Sequence, residues 1–179
     1  LLCDRTRVAI DIGANSGIFT GRLASLCRKV HAFEPIPAIA AELRRKLPPN
    51  VTIHESALSD RPGRSLLKIP VTGGMKRGAL ASIEPKNDQA IFLDTTDGLH
   101  IENIEVAVET LDDQRLHDVG FIKIDVEGHE ESVLAGGHRT ILESRPVCLV
   151  ESQHLMNSSA PHCVFQFFAS IGYEGWFLV

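Results

Sequence analysis

The residues best suited to chemistry follow a short apolar run near the start of the chain. Asp11 is the last residue but one of that run, and Gly13 and Gly17 follow it with Asn15 between them. Glycines allow a tight turn and a close approach of backbone to ligand at the end of a parallel strand, where open α/β sheets bind ligands. Asp11 would supply an acceptor or counter-charge there. The spacing is not GxGxxG, so the alternative is a plain strand-to-helix turn capped by Asn15 or Ser16.

A second acidic residue, Glu34, ends the next apolar run, 23 residues after Asp11. An acidic residue at this place reaches ribose hydroxyls in nucleotide-binding α/β domains. The alternative is a solvated carboxylate before a proline. The coincidence of the two features favours a nucleoside ligand. Ala57 and Leu58 follow a third apolar run and could line an adenine slot, although turn chemistry explains that segment equally well.

The densest group of ionisable side chains lies at 123–130, with five such residues in eight positions. Asp125 and Glu127 follow a fourth apolar run, so they belong to the same edge of the sheet. His129 could act as a general base because its reference pKa is near neutrality, or it could simply start a helix. Asp125 and Glu151 are a conceivable divalent-metal pair, but without a third evident ligand we predict no metal site.

The elements that must position these side chains alternate between strand and helix. The predicted strands cover 7–12, 29–33, 51–54, 121–124 and 146–150, and the predicted helices cover 17–28, 37–47, 130–143 with a break at Gly136 and Gly137, and 161–170. This order predicts a mostly parallel sheet with right-handed crossovers.

The middle and the end of the chain follow other patterns. We expect short strands at 65–70, 78–84 and 105–109, a polar turn-rich segment at 85–100, a capped helix at 110–117, and a last strand at 173–179. Val164, Phe165, Phe167 and Phe168 are expected to face the core. The prediction is a single domain over 1–179 with a loop or hairpin insertion around 65–105 near the site.

Composition narrows the class of protein. The chain has 179 residues, 44% of them hydrophobic and 23% charged, with a formal charge of −5. This excludes a disordered or collagen-like chain and disfavours non-specific binding to nucleic acid or membrane surfaces. No apolar run approaches the roughly 20 residues of a membrane span. The four cysteines form no CxxC, and we expect buried thiols, a reducing compartment and a cytoplasmic location. Because the chain starts without Met, we interpret it as an excised domain.

Taken together, these segments resemble the FkbM family of S-adenosylmethionine-dependent methyltransferases. The matching segments are 11–17 with Phe19 and Thr20, 33–35, 57–60 with Gly63, 110–113, 123–130 with Val133, Leu134 and Gly136, Arg145 with Pro146, Glu151, and Gly172 with Tyr173. The Lys-Ile-Asp-Val-Glu-Gly-His-Glu block at 123–130 is the most specific.

The resemblance implies a class I methyltransferase fold, Rossmann-like, with a mostly parallel seven-stranded sheet, one antiparallel strand and helices on both faces. We expect the last antiparallel strand to be missing from this segment. The resemblance also implies S-adenosylmethionine as cofactor. Asp11, Gly13 and Asn15 would hold its methionine part, with Gly17 in the same loop. Glu34 would bond the ribose, and Ala57 and Leu58 would lie near the adenine.

The implied activity is methylation, with in-line transfer to a hydroxyl of a small molecule or glycan. Asp125, Glu127 or His129 is expected to act as the base. One alternative is an NAD-dependent oxidoreductase, which the glycine spacing and the lack of a Tyr-Lys pair disfavour. The other alternative is a non-catalytic nucleoside-binding module.

Overall fold

The computed structural model describes residues 3–72, 75–76, 100–152 and 160–176. The elements in chain order are β1 (Val8–Ile12), α1 (Ile18–Leu26), β2 (Lys29–Phe33), α2 (Pro37–Lys46), β3 (Val51–His54), β4 (Ala57–Leu58), β5 (Gly63–Thr72), β6 (Met75–Lys76), β7 (His100–Glu109), a 3-10 helix (Asp112–Gln114), β8 (Val119–Ile124), α3 (Glu130–Gly136), α4 (His138–Ser144), β9 (Val147–Val150) and α5 (Ala160–Ser170).

The first sheet has five parallel strands in the order β3-β2-β1-β8-β9. The chain adds β2 and β3 on one side of β1, and later adds β8 and β9 on the other. The strand order therefore reverses between β1 and β8, and open α/β sheets bind ligands beyond the carboxyl ends of strands at such a point. The expected parallel α/β architecture, and the placement of the fourth predicted strand beside the first, are confirmed. In the described residues this sheet has five strands, all parallel, and not the seven strands with one antiparallel member that the resemblance implied.

Helices cover both faces of this sheet, and the alternation of side chains along each strand decides which face a residue joins. Ile10, Ile12, Ile122 and Ile124 pack with residues of α3, α4 and α5. Ala9, Val30 and Phe121 pack instead with Leu23 and Cys27 beside α1, while Ala32 meets Leu43 of α2. On β1, Asp11 faces the same side of the sheet as Ala9, and on β8, Lys123 faces the same side as Phe121, so both side chains lie on the α1 side.

A second sheet, with the order β4-β7-β5-β6, is inserted between β3 and β8. Strands β5 and β7 form a long antiparallel pair whose register runs from Gly63 opposite Val108 to Val71 opposite His100. Both strands are longer than the predicted segments at 65–70 and 105–109. The strand expected at 78–84 and most of the turn-rich segment at 85–100 lie outside the described residues.

The helix predicted from Thr110 to His117 is wrong. The Thr110 hydroxyl does accept a hydrogen bond from the Asp113 backbone N–H at 3.1 Å, as a cap would. Only a three-residue 3-10 helix follows, however, and Arg115 ends it in the left-handed region at φ 50°. The Asp112 carboxylate serves another helix, because it accepts hydrogen bonds from the backbone N–H groups of Arg139 and Thr140 at the start of α4.

Two predictions near the end of the chain are also wrong. The strand predicted at 173–179 is contradicted over 173–176, which form no strand, and residues 177–179 lie outside the described residues. Tyr173 instead donates a hydrogen bond to the Pro146 carbonyl at 3.0 Å, and its ring stacks under the Arg145 guanidinium at 4.3 Å. Phe165, expected in the core, is 45% exposed on α5. The break at Gly136 and Gly137 is confirmed, since α3 ends and α4 begins there.

The four cysteines are free thiols. Cys27 is buried as expected, whereas Cys3, Cys148 and Cys163 are only partly buried. In the described part of the chain, no helix is long and apolar enough to cross a membrane.

Candidate active site

A cavity of about 270 Å³ opens at the carboxyl ends of β1, β2 and β8. Its lining consists of Ile12, Gly13 and Asn15 from the end of β1, Phe33, Glu34, Pro35 and Ile36 from the end of β2, Ser56, Ala57, Leu58 and Leu67 from the second sheet and its approach, Asp125, Val126, Glu127 and His129 after β8, and Glu151 after β9. The structure therefore brings all the predicted site residues to one cavity except Asp11 and Gly17.

The loop after β1 forms one wall, and Gly13 is the residue that permits it. Its φ of 78° lies in the left-handed region, and a Cβ atom there would sit 1.9 Å from the Asp125 carbonyl oxygen. Only glycine fits this position without moving the end of β8. The backbone N–H groups of Gly13 and Ala14 both donate to the Phe33 carbonyl at 3.1 Å, which ties the loop to β2.

Glu34 is held as a fixed acceptor at the end of β2. It is 4% exposed. One carboxylate oxygen accepts the Asn15 backbone N–H at 2.8 Å and the other accepts the Ile36 backbone N–H at 2.9 Å. Each oxygen keeps a further lone-pair site for a ligand. Burial raises the pKa of Glu34, and the two backbone hydrogen bonds oppose that shift.

An apolar part of the lining can accept a flat ring. Phe33, Ile36, Ala57, Leu58 and Leu67 contribute apolar surface there. The Phe33 ring is backed by the His54 imidazole, which stacks on it at 4.3 Å between centroids with an interplanar angle of 14°.

Acidic side chains form another part of the lining. Asp125 and Glu151 are placed there because the hydrogen-bonding ladder continues past the strands: the Asp125 N–H donates to the Ile12 carbonyl, and the Glu151 N–H donates to the Ile124 carbonyl. Asp125, Glu127 and Glu151 all line the cavity. Together they favour a ligand that carries positive charge.

Glu127 has an unusual backbone and an unusual pKa. Its φ of 52° is in the left-handed region, which costs a non-glycine residue about 1–2 kcal/mol. Partial burial, and then the negative charges of Asp125, Glu151 and Glu130, raise its pKa to about 7. A carboxyl group of this kind can accept a proton near neutral pH.

His129 is the N-cap residue of α3 and is buried. Its Nε2 atom lies 2.9 Å from the Ser59 hydroxyl, so one of its two ring nitrogens is already engaged with the protein. This contact joins α3 to the segment after β4 and makes His129 less suited than Glu127 to proton transfer.

Asp11 and Gly17 lie outside the cavity lining. Asp11 is fully buried on the α1 side, where its Oδ2 atom accepts the Thr20 hydroxyl at 2.6 Å. Burial raises its pKa, opposed by Lys123 and Thr20. A Cβ atom at Gly17 would meet the Leu43 side chain at 2.5 Å, so Gly17 lets α1 approach α2. Direct contact of either residue with a ligand stays a prediction.

The residue that sequence reasoning missed is Lys123. It stands directly opposite Asp11 on β8, and its ammonium group forms an ion pair with Asp125 at 3.0 Å. Lys123 belongs to the group of ionisable residues at 123–130 that the sequence singled out. Only the register of β1 against β8, however, shows which carboxylates the lysine contacts. As for metal ions, the described residues contain no group of three His, Cys, Asp or Glu side chains placed to hold one.

A family model, the methyltransferase FkbM domain, matches residues 11–174. The chain belongs to this family. A curated relative, the 2-O-methyltransferase NoeI of Sinorhizobium fredii (strain NBRC 101917 / NGR234), is 32% identical over an alignment of 150 positions that covers 77% of this chain and 60% of the relative. The FkbM domain thus spans about three-fifths of that relative's length.

A solved structure shares the fold of the FkbM domain. The crystal structure of methyltransferase FkbM from Methylobacillus flagellatus KT superposes with a TM-score of 0.60 at 18% identity, and the match covers 96% of this chain and 39% of that one. The family model and the curated relative confirm the family resemblance noted in the sequence, and this structure confirms the expected fold. Neither the oxidoreductase nor the non-catalytic binding module receives support, since the family model and the curated relative both concern methyltransferases.

The cavity residues of the FkbM domain fit S-adenosylmethionine, the donor that methyltransferase families imply. Glu34 offers lone pairs to vicinal hydroxyls, and the apolar lining offers surface to an adenine ring. The acidic lining suits the positive charges of an ammonium and a sulfonium. Gly13 lets the loop after β1 pack directly against the end of β8, because a Cβ atom there would meet the Asp125 carbonyl oxygen at 1.9 Å, and this packing forms the wall that such a ligand would face.

Proposed function

We propose that this FkbM domain transfers the methyl group of S-adenosylmethionine to a hydroxyl oxygen of a small molecule or glycan. The observation that carries the proposal is the cavity at the reversal of strand order, which combines a fixed carboxylate at Glu34, an apolar surface around Leu58 and an acidic lining. The name of the curated relative, a 2-O-methyltransferase, supports a hydroxyl acceptor.

The side chains divide the work of binding. Glu34 would hold the ribose hydroxyls, and Ala57 and Leu58 would contact the adenine. Asp125 would face the positive charge of the donor. When bound, the donor supplies a methyl group already activated by a positive sulfur, so the acceptor oxygen gains a methyl group and loses a proton. Excluding water and aligning the two reactants is then the main task of the cavity.

Glu127 is the best placed base for that proton. It lines the cavity, it is half-buried, and its pKa of about 7 matches a proton transfer at neutral pH. Asp125 is less suited because its carboxylate is paired with Lys123 at 3.0 Å. His129 is less suited because of its contact with Ser59.

Transfer of a labelled methyl group to a panel of saccharides and small molecules, some bearing only hydroxyl groups and some bearing amino groups, tests the proposal. Wild-type protein is expected to label an oxygen acceptor. The Glu127→Gln variant is expected to transfer the methyl group about 10²- to 10⁴-fold more slowly than the wild-type protein. The matched control is Glu131→Gln, an exposed acid on the first turn of α3 that does not line the cavity, which should keep full turnover. Label found only on nitrogen acceptors would contradict the proposal.

Domain organisation and location are proposals of the same kind. We infer that residues 1–179 act as one methyltransferase domain in which the hairpin of β5 and β7 lies beside the cavity, supported by Leu67 in the lining. A cytoplasmic, reducing location is supported by the four free thiols. Limited proteolysis of the whole chain would test the single-domain organisation, since one domain should yield one protease-resistant core.

A further inference from the structure

A buried lysine lies directly beneath the cavity. Lys123 is 5% exposed and does not line the cavity itself. Its Nζ atom donates to Asp125 Oδ2 at 3.0 Å and to the Gly13 carbonyl at 3.4 Å, and it lies 3.6 Å from Asp11 Oδ1. The Phe19 ring covers it at 5.2 Å from the centroid.

Lys123 contacts two groups that line the cavity and one that does not. Asp125 and Gly13 line the cavity, and both receive a hydrogen bond from the lysine. Asp11 does not line the cavity, and its Oδ1 atom forms an ion pair with the lysine at 3.6 Å. The ammonium group therefore does more than balance the charge of Asp11, because it also holds the two groups that face the ligand.

Burying an ammonium group costs several kcal/mol unless its partners compensate. The partners that compensate here belong to two segments, the glycine loop after β1 and the end of β8. The cavity keeps its shape only if these two segments stay at a fixed separation. A Cβ at Gly13 would meet the Asp125 carbonyl at 1.9 Å, so these two segments already touch. The ammonium group ties them together from below.

We propose that Lys123 is a positioning residue for the methyl donor: its ammonium group fixes the Asp125 carboxylate and the Gly13 carbonyl in the orientation that receives the donor. This inference rests on the proposed function. The alternative to this proposal is that Lys123 only balances the buried negative charge of Asp11. The two accounts differ in which partner matters, Asp125 with Gly13 or Asp11.

Calorimetric titration with S-adenosylhomocysteine, together with thermal unfolding of each protein, separates the accounts. The variants are Lys123→Met, Asp11→Asn and their double combination. Thr20→Val is the matched control, because it removes the hydrogen bond to Asp11 and leaves Asp125 and Gly13 untouched. Lys123→Met should lower Tm, since it leaves Asp11 and Asp125 without their cation. The double variant should recover much of that loss, since it removes one of the two charges.

The affinities decide the question. The double variant is expected to bind S-adenosylhomocysteine at least tenfold more weakly than Asp11→Asn alone, and Thr20→Val is expected to stay within about threefold of wild type. Equal affinities of the double variant and Asp11→Asn would overturn the inference, even if Lys123→Met itself fails to fold. Absence of binding by the wild-type protein would instead contradict the proposed function, and with it this inference.

Discussion

At the scale of single residues, four residues in or beside the cavity have a left-handed backbone. Gly13, Asn15, Glu127 and Gly128 all have φ between 45° and 96°, in the left-handed region. Conformations of this kind persist when neighbouring contacts enforce them. The Asn15 N–H is held by Glu34, and the Gly128 N–H is held by Glu130. Two of these four residues, Asn15 and Gly128, are therefore held in place by buried carboxylates next to the cavity.

Gly13→Ala should abolish donor binding and lower stability. The added Cβ would meet the Asp125 carbonyl at 1.9 Å in a backbone conformation that alanine disfavours. Gly21→Ala is the control: it lies inside α1, where the new Cβ has an ordinary 3.6 Å contact with Leu47, so stability should rise by about 0.5–1 kcal/mol. Titration with S-adenosylhomocysteine and thermal unfolding measure both effects. Unchanged binding in Gly13→Ala would contradict this account of the loop.

The pH dependence of turnover should report Glu127. A base must be ionised, and the pKa of Glu127 is raised to about 7. Methyl transfer by the wild-type protein should therefore fall as the pH drops through about 7. The residual activity of Glu127→Gln should lack this dependence. A wild-type profile that stays flat down to about pH 5 would remove Glu127 from the role of base.

Stability should respond to the same group with a definite sign. A carboxyl group whose pKa is raised by folding favours the folded state when protonated, and that contribution is lost as the pH rises through about 7. Glu127→Gln should thus stabilise the protein at about pH 8.5, by about 1 kcal/mol once solvent screening of this half-exposed group is allowed for, and by much less at about pH 5. Chemical denaturation at the two pH values measures it. If Glu127→Gln stabilises the protein more at about pH 5 than at about pH 8.5, the prediction is contradicted.

The site residues could be predicted where type and position along a strand suffice. Glu34 and Asp125 follow predicted strands, and both line the cavity. Asp11 was expected to project toward the ligand, yet its side chain lies on the α1 side with Thr20 and Lys123. The sequence contains the alternation of side chains, but it does not show which partners will satisfy a buried carboxylate.

At the scale of elements, local patterns sufficed where an element forms by its own periodicity. Strands β1, β2, β3, β8 and β9 and helices α1 to α5 all lie close to their predicted segments. The second sheet was not predicted as a separate sheet, since β4 pairs with β7 across about fifty residues of chain. The segment after Thr110 has residues that favour the start of a helix. The Asp112 carboxylate, however, accepts hydrogen bonds from backbone N–H groups of α4 and not from its own segment. Long-range partners override local preference in both cases.

Asp112→Ala should cost about 1–2 kcal/mol of folding free energy, because α4 loses the acceptor for its first N–H groups and for the Thr140 hydroxyl. Asp113→Ala is the neighbouring control. That residue is exposed and should change stability by about 0.5 kcal/mol or less. Donor affinity should stay unchanged in both, since neither residue lines the cavity. Equal stabilities of the two variants in urea would show that Asp112 does not cap α4.

At the scale of the whole molecule, two sheets contribute to one cavity. The parallel sheet supplies the glycine loop and the carboxylates, while the second sheet supplies Ala57, Leu58 and Leu67. The cavity is acidic although the chain as a whole carries a formal charge of only −5. Charge is thus concentrated where a cationic donor would bind, and the apolar wall is placed beside it by the insertion.

The central claim is that Glu34 holds the ribose of the methyl donor in this cavity, and calorimetry tests it most directly. S-adenosylhomocysteine and its 2′-deoxy analogue are titrated into wild-type protein and into Glu34→Gln. Wild-type protein should bind the deoxy analogue about 10- to 100-fold more weakly, because a hydrogen bond to a charged group contributes about 1.5–3 kcal/mol. Glu34→Gln should bind both ligands weakly and nearly equally. Equal affinities for the two ligands in the wild-type protein, or no binding of either, would contradict the account.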